Sequence, residues 1–192
     1  MPGAGAPEYF VPVNTLRTAH TADLTASELA AVRALLDDAF DGDFSDADWA
    51  HTVGGVHALV HDGSGALLAH GSVTQRRAVH DGRTLRVGYV EAVAVRADVR
   101  RTGLGGQVMG ALERVITAAY DLGALSASSD GAPLYTARGW TEWSGPFAAY
   151  GPAGTIALPA DEDPPYLFPA LVARGLDATR TLLFDWRDGD LL

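Results

Sequence analysis

An apolar stretch carrying a single acid, Gly88-Tyr-Val-Glu91-Ala-Val-Ala-Val95, runs into a basic, glycine-rich turn, Arg100-Arg-Thr-Gly103-Leu-Gly105, that opens a helix. The N–H groups of a first helical turn point at an anion, the helix dipole favours it, and glycine lets the backbone approach closely. A strand beside such a turn suits a cofactor that carries a diphosphate. Glu91 lies on the strand feeding the turn, where a carboxylate can act on whatever the cofactor carries. The pattern predicts a cofactor-dependent active site.

The elements that must position these residues can be read around them. Thr25-Ala-Ser-Glu28 is a capping box opening an amphipathic helix, with Leu29, Val32, Leu35, Leu36 and Phe40 on one face. A short acidic segment follows, from Asp43 to Trp49. Val56–His61, a strand within Ala66–Val79, and Leu85–Val95 form a meander whose last hairpin turns at Asp81-Gly82. Thr102–Ala119 is helical, with Leu104, Val108, Leu112, Val115 and Ile116 facing inward. Ala124–Ser128 is a short strand, and Pro133–Arg138 a short helix stopped by Gly139. Trp140–Tyr150 reads as one strand, Gly151–Pro165 as a loop, and Tyr166–Val172 and Thr181–Trp186 as late strands. The expected fold is α/β, a mixed, mostly antiparallel central sheet flanked by helices. Residues 1–12 read as a flexible tail and 13–192 as one domain.

The composition narrows the function. A formal net charge of −10, with every basic residue an arginine, argues against nucleic acid, whose phosphates need a basic surface, and is compatible with a polycationic ligand. Neither a secretory leader nor an apolar run of bilayer length is visible, so a soluble, cytoplasmic protein with no membrane contact is expected. Cysteine is absent, which removes disulfides, thiolate metal sites and cysteine nucleophiles. His57 and His61 have strand spacing and no third partner at ligand spacing, so no metal is expected.

Arg100-Arg-Thr-Gly103-Leu-Gly105 fits the pyrophosphate-loop pattern Arg/Gln-x-x-Gly-x-Gly/Ala of the GCN5-related N-acetyltransferases. Leu134-Tyr135-x-x-Arg138-Gly139-Trp140 is similar to that superfamily's late motif. Further segments resemble the actinobacterial aminoglycoside 2′-N-acetyltransferases: Ala39–Phe44, Asp48-Trp49, His51–Leu59, Gln75–Arg77, Gly88–Glu91, Ala119–Ser126 and Asp185–Asp190.

The resemblance implies acetyl transfer from acetyl-coenzyme A to the 2′-amino group of aminoglycoside antibiotics, conferring drug resistance. Glu91 is the implied general base, acting through water, and Tyr135 the implied acid that protonates the departing thiolate. Backbone groups of Val93, Ala94 and Val95 would grip the pantetheine arm. Arg100, Arg101, Thr102, Gly103, Leu104 and Gly105 would hold the pyrophosphate. A bulge on the strand of Glu91 would aim an N–H at the thioester oxygen. Asp43, Glu91, Ala92, Ser126, Asp161, Asp190 and the last residue, Leu192, are the implied contacts of a cationic drug, and a homodimer is implied as well. Two departures bear on substrate spectrum: Ala92 stands where these relatives tend to have glycine, and Leu192 where they end in an aromatic. Other acceptors compatible with the pattern are a polyamine, a cell-wall amino sugar or a small metabolite. A non-catalytic module that sequesters its ligand is the remaining alternative.

Overall fold

The computed structural model describes residues 14–158 and 164–192. The N-terminal tail and Asp161 therefore lie outside the described residues. The elements are β1 (Thr15–His20), α1 (Ala26–Ala39), α2 (Asp46–Thr52), β2 (Val56–His61), β3 (Leu67–His80), β4 (Arg83–Val95), α3 (Leu104–Ala119), β5 (Leu122–Ser126), α4 (Ala132–Thr136), β6 (Thr141–Glu142), β7 (Phe147–Gly151), β8 (Gly154–Ala157), β9 (Pro165–Phe168), α5 (Ala170–Arg174) and β10 (Leu182–Phe184). They build the expected α/β arrangement, one mixed sheet ordered β6-β9-β5-β4-β3-β10-β7-β8, with β2 joining β3 and β1 joining β2. Only β4–β5 and β10–β7 are parallel among the described pairs.

Local chemistry explains the elements that the sequence announces. Thr25 accepts from the Glu28 N–H while the Glu28 carboxylate accepts from the Thr25 N–H, so the capping box opening α1 is formed. Asp81 and Gly82, with φ of 46° and 74°, join β3 to β4 as a two-residue hairpin. On one face of the sheet α3 buries Leu104, Val108, Met109, Leu112 and Ile116. Each such side chain contributes about 1.5–3 kcal/mol relative to exposure. Gly71 on β3 lies under α3, and a Cβ there would come within 2.7 Å of Val108. On the opposite face α1 packs Val32, Leu35 and Leu36 against Leu59 and Ala94.

Several boundaries differ from the sequence reading. The acidic segment is a helix, α2, because Ser45 and Asp48 form a second capping box. Phe40 is not part of the inner face of α1: it caps the helix and is 42% exposed. Trp140–Tyr150 is two strands, β6 and β7, interrupted around Ser144-Gly145-Pro146, with the Trp143 indole donating to the Pro146 carbonyl. The loop after Gly151 contains β8, which pairs antiparallel with β7. β9 stops at Phe168, and Pro169 caps α5, so Tyr166–Val172 is a strand followed by a helical turn. The edge strand β1 is exposed along most of its length, which deprives it of a hydrophobic pattern.

Candidate active site

The site is built around an irregularity in β4. Ser72 pairs with Glu91 and His70 with Ala94, so one residue of β3, Gly71, faces two of β4, Ala92 and Val93. This is a β-bulge, and within it Ala92 takes a left-handed φ of 51°, a conformation that one bulge class ordinarily gives to glycine. Beyond it β4 leaves its other neighbour. β4 and β5 pair only from Val87 to Tyr89 among the described residues, and β4 continues to Val95 without that partner. The strands splay, and the edge of β4 borders a cleft.

Two cavities occupy that cleft. The first, about 260 Å³, is lined by Glu91, Ala92 and Val93 of β4, Ser126 and Ser128 at the end of β5, Phe40, Tyr135 and Leu192, among others. Glu91 and Arg187 form an ion pair with their side chains 14% and 13% exposed. The Arg187 Nε also donates to the Asp190 carbonyl at 2.6 Å, and its guanidinium lies 5.1 Å from the Tyr89 ring centre. Arg76, buried, holds the same terminal segment. It donates to the Asp185 carboxylate at 2.9 Å, the Asp185 carbonyl at 2.8 Å and the Leu191 carbonyl at 2.9 Å. These bonds seat Leu192 in the cavity wall.

The second cavity, about 470 Å³, runs from Val93 and Val95 along Arg100, Arg101, Gly103, Leu104, Gly105 and Gly106 to Asp130 and Leu134. Arg101 and Gly103 have φ of 63° and 91°, and Gly103 caps α3. Left-handed residues alternating with ordinary ones turn successive N–H groups to one side, a concavity suited to an anion. Arg100 bridges to the strand by donating to the Val95 carbonyl at 3.2 Å. A diphosphate fits this end, and an extended amide-bearing arm fits the β4 edge.

Val93, Gly131 and Tyr135 line both cavities, so Tyr135 stands at their junction. Burial pushes its phenol up to about 12, keeping the hydroxyl protonated. Behind it, Arg138 makes a bidentate pair with Glu113 of α3 at 2.7 and 2.5 Å, and the Trp140 indole donates to Glu113 at 3.0 Å. The Arg-Gly-Trp turn is thereby tied to α3, and Tyr135 is held against Trp140 with ring centres 6.2 Å apart.

The acetyltransferase (GNAT) domain model matches residues 20–142. The chain is 46% identical over 181 residues to an aminoglycoside 2′-N-acetyltransferase of Mycolicibacterium fortuitum, covering 93% of this chain and 92% of the relative. This chain belongs to the GNAT acetyltransferases. Among solved structures, the Escherichia coli GNAT protein YhbS, in complex with CoA, superposes with a TM-score of 0.61 at 14% identity, over 97% of this chain and 94% of that one. An acyl-CoA N-acyltransferase from Pseudomonas aeruginosa gives 0.56 at 22% identity, over 81% and 99%. These two likenesses concern the fold.

In this acetyltransferase the structure gathers Glu91, Ala92, Ser126, Tyr135 and Leu192 around the first cavity, and Val93, Val95, Arg100, Arg101, Gly103, Leu104 and Gly105 along the second. It does not gather the rest. The Ala94 side chain faces α1, buried in the cluster with Val32 and Leu36, while its expected role belongs to its backbone groups on β4. Thr102 is exposed and donates to the Val99 carbonyl at 2.7 Å. Asp43 and Asp190 are exposed and lie outside the cavity lining. The histidines hold no three-ligand cluster with other His, Asp or Glu among the described residues. Sequence reasoning missed Phe40, Ser128, Arg187 and Glu113. Arg187 lies in the Asp185–Asp190 motif, the one signal pointing to it.

Proposed function

We propose that this acetyltransferase moves the acetyl group of acetyl-coenzyme A to the 2′-amino group of aminoglycosides, as a single domain spanning residues 13–192. The observation that carries the reading is the pair of cavities meeting at Val93 and Tyr135, one ending at the anion-suited turn and the other walled by Glu91. The 46%-identical relative supports the choice of acceptor.

The cofactor supplies an activated acetyl thioester; the chain binds, orients and manages protons. The N–H groups opening α3, with Arg100 and Arg101, hold the pyrophosphate. The free edge of β4 pairs with the pantetheine amides, and the Val93 N–H offers a donor to the acyl oxygen. Glu91 draws the substrate ammonium in and takes its proton through water. Tyr135, still protonated, donates a hydrogen bond to the departing sulfur. Ser126 and the terminal segment contact the sugar hydroxyls, with Asp43, Asp161 and Asp190 offering further carboxylates to a polycation. The protein acts in the cytoplasm as a homodimer and needs no metal.

Thiol release with acetyl-coenzyme A tests the reading. Gentamicin- and tobramycin-like compounds should turn over, 2′-hydroxy analogues such as kanamycin A should not, and product NMR should place the acetyl group on the 2′ nitrogen. Turnover of polyamines alone, or tight drug binding without thiol release, would replace it.

A further inference from the structure

Two buried histidines lie behind the bulge, on the α1 face of the sheet, and no catalytic step uses them. His70 Nδ1 is 3.0 Å from the carbonyl oxygen of Ala92. His70 Nε2 is 2.8 Å from Nδ1 of His57, and His57 Nε2 is 2.8 Å from the Thr21 hydroxyl. That hydroxyl in turn accepts the Gly54 N–H at 2.8 Å; the Gly55 carbonyl, at 3.2 Å, is a more distant acceptor for its proton than the His57 ring nitrogen. Both rings are fully buried.

A carbonyl can only accept, so His70 carries its proton on Nδ1. Burial without a carboxylate partner keeps each ring neutral, and His70 Nε2 is then an acceptor. His57 must donate to it from Nδ1, which leaves His57 Nε2 to accept from Thr21. Every proton in the chain points toward Ala92.

We propose that His70, backed by His57 and Thr21, is a latch that sets the orientation of the peptide joining Ala92 to Val93. This rests on the acetyl-transfer reading, in which the Val93 N–H faces the acyl oxygen. In a trans peptide the C=O and N–H point in opposite directions. Gripping the Ala92 oxygen on the α1 side therefore turns the Val93 N–H away from His70 and toward the cleft. Ala92 sits at φ 51°, a sparsely populated conformation for alanine, so the bulge does not hold this orientation by its own preference. A flipped peptide would aim a carbonyl at the acyl oxygen and repel it. His70 is thus a positioning residue.

The substitution His70→Leu removes the donor, and His70→Asn keeps one near the position of Nδ1. We expect His70→Leu to lower kcat by up to roughly 10²–10³-fold, the range for loss of an oxyanion donor, with KM for both substrates within about twofold. His70→Asn should recover most of the loss. Val73→Ala, a cavity on the same strand facing α3, should lower the melting temperature and leave kcat intact. Unchanged kcat in His70→Leu, or a loss equally large in His70→Asn, would overturn the latch. Long-range ¹H–¹⁵N correlation NMR of the wild-type protein decides independently of turnover. Protons on Nδ1 of both His70 and His57 support the chain, and a proton on Nε2 of His70 refutes it. Absence of thiol release by the wild type would defeat the acetyl-transfer reading, while the NMR result would still decide the orientation of the chain.

Discussion

The carboxylate of Glu91 is held by the guanidinium of Arg187, which reaches it from the segment following β10. Before any substrate arrives, the proposed base already has a cation against it. An incoming ammonium must share that carboxylate or displace the arginine. Glu91→Gln should lower kcat/KM by roughly 10²–10⁴-fold, the range of a lost general base. The deficit should be larger below neutrality, where more of the acceptor amine is protonated, and thiol release from about pH 6 to about pH 9 measures it. An identical deficit at every pH would reduce Glu91 to electrostatic positioning.

Arg187→Met leaves that carboxylate partly buried without its partner. Breaking a buried pair costs about 3 kcal/mol or more and an exposed one at most about 1 kcal/mol, so this partly buried pair should cost between those values and the melting temperature should fall. Added aminoglycoside should then raise the melting temperature of Arg187→Met more than that of the wild type, because a drug ammonium replaces the missing cation. Equal shifts would show that drug and arginine do not compete.

Tyr135 is predicted to act only as a donor. Burial raises its phenol to about 12, so the hydroxyl stays protonated across the working range and contributes no alkaline limb to the rate profile below about pH 11. Tyr135→Phe keeps the ring packed on Trp140 and removes the proposed hydrogen bond to sulfur. It should lower kcat about 100-fold while leaving the melting temperature nearly unchanged, as thiol-release assays and calorimetry can establish.

What the sequence discloses follows from how local each feature is. The capping box of α1, the Asp81-Gly82 hairpin, strand β4 and the loop into α3 are each set by neighbours a few residues apart, and each forms as read. The α2 helix was hidden because its acids resemble a solvated turn, and β1 because an exposed edge strand lacks alternation. The contacts that complete the site span longer distances: Arg187 to Glu91 across 96 residues, Arg138 to Glu113 across 25, His57 to His70 across 13. No spacing rule connects such pairs. Sheet register brings His57 to His70, whereas the other two pairs depend on how α3 and the terminal segment pack on the sheet.

The left-handed conformation of Ala92 sets up a test in which opposing terms nearly cancel. Replacing it with glycine relieves about 1–2 kcal/mol of backbone cost. It also forfeits a methyl group worth about 0.8 kcal/mol and adds about 0.5–1 kcal/mol of chain freedom to the unfolded state. Ala92→Gly should therefore be close to neutral in urea unfolding. Ala92→Val, β-branched at positive φ, should cost at least about 2 kcal/mol. Since Ala92 lines the first cavity, the proposed seat of the acceptor, Ala92→Gly should change KM for the drug more than KM for acetyl-coenzyme A.

The buried histidines also predict how the protein responds to acid. Burial first, and then positive charge from other histidines, holds His57 down to about 4 and His70 to about 3, against an ordinary value of 6.5. Between those values the unfolded chain binds protons that the folded chain refuses, so stability rises with pH through this window and is complete above about pH 7. Acidification from about pH 6.5 to about pH 4 should remove on the order of 3 kcal/mol, or more if both rings contribute fully. The carboxylates held low by partners, among them Asp62, Asp121 and Asp177, add their losses only as pH falls through the carboxylate range, so the histidine contribution starts first. Urea midpoints measured across the interval should show this early decline in the wild type. His57→Gln, which keeps a polar side chain beside His70 but cannot titrate there, should flatten its upper part. A decline of the same size and position in His57→Gln would assign the acid sensitivity to other groups.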